Sequence, residues 1–147
     1  MSNLRIEVAK NIEQLQDALF VRKIVFINEQ QVPVEEEIDQ YDEVERATHF
    51  VMYNDDDKPV GAGRFRKVDN SGKIERICIL PEYRKMGAGK ELMETIIQFG
   101  KSRDVSKLVL GAQTHALTFY EKLGFVITSD IFMDAGIPHK TMELVID

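Results

Sequence analysis

Six consecutive residues, Arg84-Lys85-Met86-Gly87-Ala88-Gly89, are of types that can hold an anion. Glycines at alternate positions leave the main chain bare, so that phosphate oxygens can approach it. They also tolerate the positive φ that turns successive N–H groups toward one point. If a helix begins near Ala88, its first amides have no intrahelical acceptor and face that same point. Arg84, Lys85 and Lys90 add positive charge to a chain whose formal net charge is −6. The chemistry implied is recognition of a diphosphate, although the segment is neither a Gly-Lys-Ser/Thr nucleotide loop nor a Gly-x-Gly-x-x-Gly dinucleotide turn. The plain alternative is a strand-to-helix connection that binds nothing.

Such a turn works only between a strand and a helix, and the flanking residues supply both. Lys73 to Leu80 reads as a strand ended by Pro81; Leu92, Met93, Ile96, Ile97 and Phe99 then recur at helical spacing up to a closing Gly100. Upstream, Leu4 to Val8 alternates like a strand. Asn11 is a good cap for a helix carrying Ile12, Leu15 and Leu19, with Val25 and Phe26 further on, which stops at Gln30 to Pro33. Glu35 to Glu45 spaces Ile38, Tyr41 and Val44 three apart and predicts a short amphipathic helix with a solvated acidic face. Thr48 to Tyr53 and Val60 to Val68 form a hairpin across a polar turn, and a second turn at 69–72 leads back into the strand before Pro81. Downstream come a buried strand from Lys107 to Leu110, a helix from Thr114 to Lys122 stopped by Gly124, and final strands at Phe125 to Ile127 and Thr141 to Ile146. The sum is a mixed α/β fold, a sheet with helices on its faces, in a single unit spanning 1–147.

In this setting the turn resembles the acetyl-CoA pyrophosphate loop of the GCN5-related N-acetyltransferase (GNAT) superfamily, [Gln/Arg]-x-x-Gly-x-[Gly/Ala], matched at Arg84, Gly87 and Gly89. A second segment, Ala116 to Phe125, is similar to that superfamily's Ala-x-x-Phe-Tyr-x-x-x-Gly-Phe signature. Phe26 to Pro33 and Ala135 to His139 resemble a bacterial subgroup of acetyltransferases. The resemblance implies a mostly antiparallel sheet of about six to seven strands, splayed between the fourth and fifth. It places the pantetheine arm of acetyl-CoA along Ile77, Cys78 and Ile79, with Gln113 ending the fifth strand opposite and Ala116, Phe119 and Tyr120 completing the cofactor site.

The implied activity is transfer of an acetyl group from acetyl-CoA to an amine. That reaction needs a neutral amine, a stabilised oxyanion and a proton for the departing thiolate. A backbone N–H at Cys78 or Ile79 is the expected oxyanion donor. Tyr120 matches the tyrosine that protonates sulfur, and an ordinary phenol, with a pKa of about 10, keeps its proton at neutral pH. Glu75 stands where aminoglycoside-type members hold or deprotonate the amine, and Glu29 is its rival. The plain reading of both is a solvated charge or a salt bridge to Arg64, Arg66 or Arg76, with Glu75 and Arg76 on opposite faces by strand alternation. His49 and His139 could accept a proton but rank below the glutamates, and Cys78 reads as a small buried residue rather than a nucleophile.

Composition sets the outer bounds. A chain of 147 residues, 44% hydrophobic and 30% charged, can bury a core without disulfides. Its acidity argues against general affinity for nucleic acid or an anionic membrane surface. A lone cysteine excludes an internal disulfide and no metal-ligand spacing is present. No apolar run reaches the roughly 18 residues needed to span a bilayer. The expected setting is cytoplasmic and the expected acceptor a small-molecule amine such as an amino acid, polyamine or amino sugar. A peptide or protein amine, a non-catalytic acyl-CoA-binding protein and a structural domain are the alternatives, and a homodimer is compatible with all of them.

Overall fold

Alternating side chains let Arg5–Val8 (β1), Thr48–Tyr53 (β2), Pro59–Val68 (β3) and Ser71–Ile79 (β4) each cover two faces, and the four strands pair in chain order as an antiparallel meander. The structure, a computed structural model, describes residues 3–146; Met1, Ser2 and Asp147, which the expected 1–147 boundary includes, lie outside the described residues. The β2–β3 turn is built as its composition suggests. Asn54 Oδ1 accepts from the N–H groups of Asp56 and Lys58, each at 2.9 Å.

Lys107–Gln113 (β5) joins β4 in parallel. Val126–Ile127 (β6) and Phe132–Asp134 (β7) are short strands on the far side of Ile137–Val145 (β8), which itself pairs antiparallel with β5. The sheet has eight strands among the described residues, in the order β1-β2-β3-β4-β5-β8-β6 with β7 on β8. β7 has no counterpart in the sequence reading, since three residues are too few to show a period.

Asn11 caps Ile12–Arg22 (α1), its Oδ1 accepting from the Gln14 N–H at 2.9 Å. The helix does not run on uniformly to Phe26, because Lys23–Glu29 winds as a π-helix ending at Gln30. Val34–Glu37 (α2) is a single turn. Ala88–Lys101 (α3) packs on the opposite sheet face from α1, as does Leu117–Glu121 (α4) behind a 3-10 turn at Thr114–Ala116. Gly124, at φ 104°, stops α4 as expected. Gly100 does not close α3. It lies inside the helix, where a Cβ would meet Leu108 Cδ2 at 2.7 Å, so its smallness serves close packing on the sheet.

On the α3 face, Leu92, Met93 and Ile96 bury themselves against Phe50, Met52, Phe65, Leu108 and Met142. On the α1 face, Ala18, Val21 and Val25 pack on Val51, Ala62 and Cys78. Among the described residues no helix is long and apolar enough to cross a membrane.

The acidic segment after Pro33 departs from expectation. It is mostly loop, and Glu37, Asp39 and Asp42 point inward instead of forming a solvated helix face. Arg22 and Arg64 are each 1% exposed, and they meet these carboxylates at 2.6 to 3.1 Å. With Arg66, Arg76 and Glu75, four guanidinium groups face four carboxylates, and the balance is what makes burial of so much charge tolerable.

Two local irregularities open the sheet. β4 and β5 pair only at Ser71↔Lys107, Gly72↔Leu108 and Lys73↔Val109, and then part. In β4 the register against β3 jumps from Arg64↔Glu75 to Ala62↔Cys78, which inserts one extra residue and puts Arg76 at φ 59°. Such a bulge bends its strand, and here it lies just past the last β4–β5 pair.

Candidate active site

Where β4 and β5 part, a cleft of about 990 Å³ runs between them. Glu29, Glu75, Ile77, Cys78, Ile79, Arg84, Gly89, Gln113, Ala116, Phe119 and Tyr120 all line it, so the parting brings most of the sequence-derived site residues together. Lys85, Met86, Gly87, Ala88 and Lys90 are outside the lining and belong to the turn at its edge.

That turn has the conformation its glycines allow. Lys85 at φ 67° and Gly87 at φ 83° both take the left-handed region, and Gly87 is the N-cap of α3 with no side chain capping the helix. The amides of Ala88, Gly89 and Lys90 therefore have no intrahelical partner and point outward at the positive end of a 14-residue helix. A Cβ on Gly87 would meet nothing within 4 Å, so the need for glycine is conformational; a Cβ on Gly89 would touch Phe119 Cζ at 3.4 Å. This concavity of bare N–H groups fits an anionic diphosphate.

Arg84 does not face the concavity. Its Nε donates to the Ile79 carbonyl at 2.9 Å and its two Nη atoms to Glu29 at 2.8 and 2.7 Å, tying the π-helical segment to the end of β4. Those hydrogen bonds hold the Glu29 carboxyl below its usual range. Beside the turn, Lys85 and Lys90 are exposed and make no ion pair among the described residues.

Leu80 N–H donates to Val60 O at 2.9 Å, toward β3, so by strand alternation the N–H and C=O of Ile79 point the other way, into the gap. The Ile79 carbonyl is taken by Arg84, and its N–H is the amide that β5 leaves unpaired; Cys78 N–H points toward β3. Of the two expected oxyanion donors, this geometry suits Ile79.

The cleft passes through the sheet, and its two mouths differ. On the α3 face stand Phe119 and Tyr120, edge to face at 5.0 Å, with Tyr120 also against Phe125 at 6.2 Å. The Tyr120 hydroxyl makes no hydrogen bond among the described residues, and no unpartnered side-chain oxygen there is sealed from solvent, so the hydroxyl opens into the cleft. Burial pushes its phenol up to about 12, with the neighbouring Cys78 sulfur adding to the shift. Cys78 itself is buried and its thiol is pushed up to about 12, which keeps it neutral and a poor nucleophile.

On the α1 face Lys73, Glu75, Gly111, Gln113, His139 and Thr141 share the wall with Glu36, Arg76 and Phe132. Glu75 is engaged: Arg64 Nη2 lies at 2.9 Å, Arg66 Nε at 2.8 Å and Lys73 Nζ at 3.5 Å. Burial would raise its carboxyl, but the Arg66 hydrogen bonds and the two guanidinium charges outweigh this and hold it at about 2. Glu75 and Arg76 are not partners, though alternation is not the reason. The bulge brings both to the α1 face, where Arg76 bonds Glu37 at 3.0 Å. Gln113 bridges the gap, donating to Gln30 Oε1 at 2.9 Å and accepting from His115 Nε2 at 2.6 Å.

The two histidines weighed from sequence separate. His49 is outside the cleft; its Nε2–H serves the carbonyls of Tyr41 and Glu43 at 3.1 and 3.2 Å. His139 lines the cleft. The salt bridges of Glu75 to Arg64 and Arg66 are the plain alternative weighed from sequence, whereas the share of Arg22, Glu37, Asp39 and Asp42 in the network and the Gln30–Gln113 bridge escaped sequence reading.

The acetyltransferase (GNAT) domain family matches residues 17–146. The uncharacterized N-acetyltransferase YjcF of Bacillus subtilis is 46% identical over 140 residues, covering 95% of this chain and 98% of its own. An acyl-CoA N-acyltransferase from Pseudomonas aeruginosa superposes with a TM-score of 0.85 at 24% identity, covering 99% of this chain and 100% of that one. A GNAT family acetyltransferase from Elizabethkingia anophelis with acetyl-CoA bound gives 0.73 at 20% identity over 99% and 100% of the two chains. These solved structures share the fold.

Proposed function

Because the chain belongs to the GNAT acetyltransferase family, we propose that it moves the acetyl group of acetyl-CoA to the primary amine of a small metabolite, an amino acid, polyamine or amino sugar, by direct transfer while both are bound. The observation that carries this reading is the passage through the sheet beyond Lys73↔Val109, with a bare-amide turn at one mouth and a walled polar pit at the other.

Acetyl-CoA supplies an activated thioester when bound. The amides of Ala88 to Lys90, with Lys85 and Lys90, hold its diphosphate, and the free edge of β4 from Ile77 to Ile79 pairs with the extended arm. Ile79 N–H donates to the carbonyl oxygen as negative charge grows on it. Tyr120, protonated throughout the physiological range at a pKa of about 12, donates to the sulfur. The α1 face takes the amine. Its walls come from the π-helical segment, α2, β4, β5, β7 and β8, an enclosure suited to a compact acceptor.

The test is calorimetry with coenzyme A followed by thiol release from acetyl-CoA with spermidine, L-lysine and glucosamine. Saturable binding and amine-dependent release by at least one acceptor are expected. Binding without release from any amine would instead favour a non-catalytic acyl-CoA-binding protein, and absence of binding on folded protein would leave a structural domain.

A further inference from the structure

The acceptor amine arrives largely as an ammonium ion, loses one proton to water to become nucleophilic and must shed a second as it is acylated, and three of the carboxylates lining the cleft are committed elsewhere. Glu75 is clamped by Arg64 and Arg66, Glu29 by Arg84, and Glu37 by Arg22 and Arg76. Glu36 and Asp134 stand on the rim, exposed to water.

His139 is different in three ways. It lies on β8 opposite Gln113, at the end of β5 where the gap is open, on the face of the sheet that carries Glu75 and Lys73. Its Nδ1 is 2.7 Å from the Ile137 carbonyl. A carbonyl only accepts, so Nδ1 carries the hydrogen and Nε2 keeps a lone pair. Nε2 has no hydrogen-bond partner among the described residues. Because no unpartnered buried side-chain nitrogen is sealed from solvent and the residue lines the cleft, that lone pair opens into it. The ring is also fixed, 8% exposed and stacked on Phe132 with centroids 5.8 Å apart and planes 25° apart.

We propose that His139 Nε2 is the general base of this enzyme, taking the proton that the acceptor nitrogen loses. The inference rests on the acetyltransferase reading above. The neutral nitrogen, its ammonium proton already lost to water, forms a bond to the acetyl carbon and gives its second proton to His139 Nε2; the carbon–sulfur bond breaks, and the thiolate takes the Tyr120 proton. Imidazolium and tyrosinate then return to their starting states by one net proton passed through water, so the overall change is amine plus thioester to amide plus thiol. Acid and base sit on opposite faces of the sheet, with the gap between them. This suits an amine that enters from the α1 face and a thiol that leaves toward the α3 face.

The experiment compares wild type, His139→Gln and His139→Ala with whichever amine of the panel is turned over, alongside calorimetry with coenzyme A and thermal melting. The expected result is kcat lowered by about 100-fold in both variants, unchanged coenzyme affinity and melting temperature, and partial recovery of His139→Ala by added imidazole. Turnover of His139→Gln within about threefold of wild type, or a loss in His139→Ala that imidazole does not relieve while folding and coenzyme binding persist, overturns the assignment. Both outcomes leave the enzyme reading standing. A wild type that binds coenzyme A but turns over no amine overturns the enzyme reading instead, and the assignment with it.

Discussion

At the scale of the residue, environment decides which of several similar groups is usable. Tyr120 and Tyr53 are both phenols, but Tyr53 gives its hydrogen to Asp17 at 2.7 Å, whereas the Tyr120 hydroxyl opens unpartnered into the cleft. Replacing Tyr120 by Phe removes only that hydroxyl, so kcat should fall by about 100-fold with coenzyme A affinity intact; steady-state kinetics paired with calorimetry decides it. A phenol raised to about 12 is active while protonated. Loss of rate through its ionisation therefore belongs near pH 12, and kcat/KM of wild type and Tyr120→Phe should show the same alkaline shape at different heights up to about pH 10. An alkaline limb below that pH present only in wild type would contradict this. Glu75 shows the converse. The sequence offered it as a base, yet a carboxylate held at about 2 by Arg66 and Arg64 supports a role in bracing the α1-face wall of the cleft.

At the scale of the element, the turn before α3 and the parting of β4 from β5 do the positioning. Gly87 at φ 83° has open space where a Cβ would stand. Gly87→Ala should accordingly fold, at a cost of about 1 kcal/mol for the left-handed conformation, and weaken coenzyme A binding modestly. Gly87→Asp adds a carboxylate where the diphosphate is to sit, and calorimetry should show no saturation. Equal binding by the two variants would mean that the diphosphate lies elsewhere. Both glycines of the turn were legible, because a positive φ and a close main-chain approach leave few alternatives. The bulge at Arg76 was not, since one extra residue in β4 shows only against its partner strand.

At the scale of the whole molecule, the buried charge network joins α1, the loop after α2, and the strands β3 and β4 into one support behind the α1-face wall of the cleft. Arg22→Ala leaves Glu37 and Asp42 partly unpaired in the interior and should cost about 3–5 kcal/mol, read as a lowered denaturation midpoint. The pH dependence follows from carboxylates lowered on folding. Burial raises Asp42, but the hydrogen bonds and charges of Arg22 and Arg64 hold it at about 2, as Glu75 is held at about 2. Carboxyls with depressed folded values contribute stability that is full above their unfolded pKa of about 4 and is lost as pH falls toward 2. Urea midpoints should therefore drop between about pH 5 and 2, and less so in Glu75→Gln; a midpoint flat across that range would show the network to be energetically idle. What the residues determined by themselves was local: the glycine turn before α3, the caps at Asn11 and Gly124, the hairpin turns and the order of elements, each fixed by the conformational limits of a few neighbours. The pairing of Glu37 with Arg22 and Arg76, the capture of Glu29 by Arg84, and the freedom of one histidine nitrogen over another depend on groups far apart in the chain. Only the folded arrangement decides those, because the strength of a charge or a base is set by what surrounds it in space.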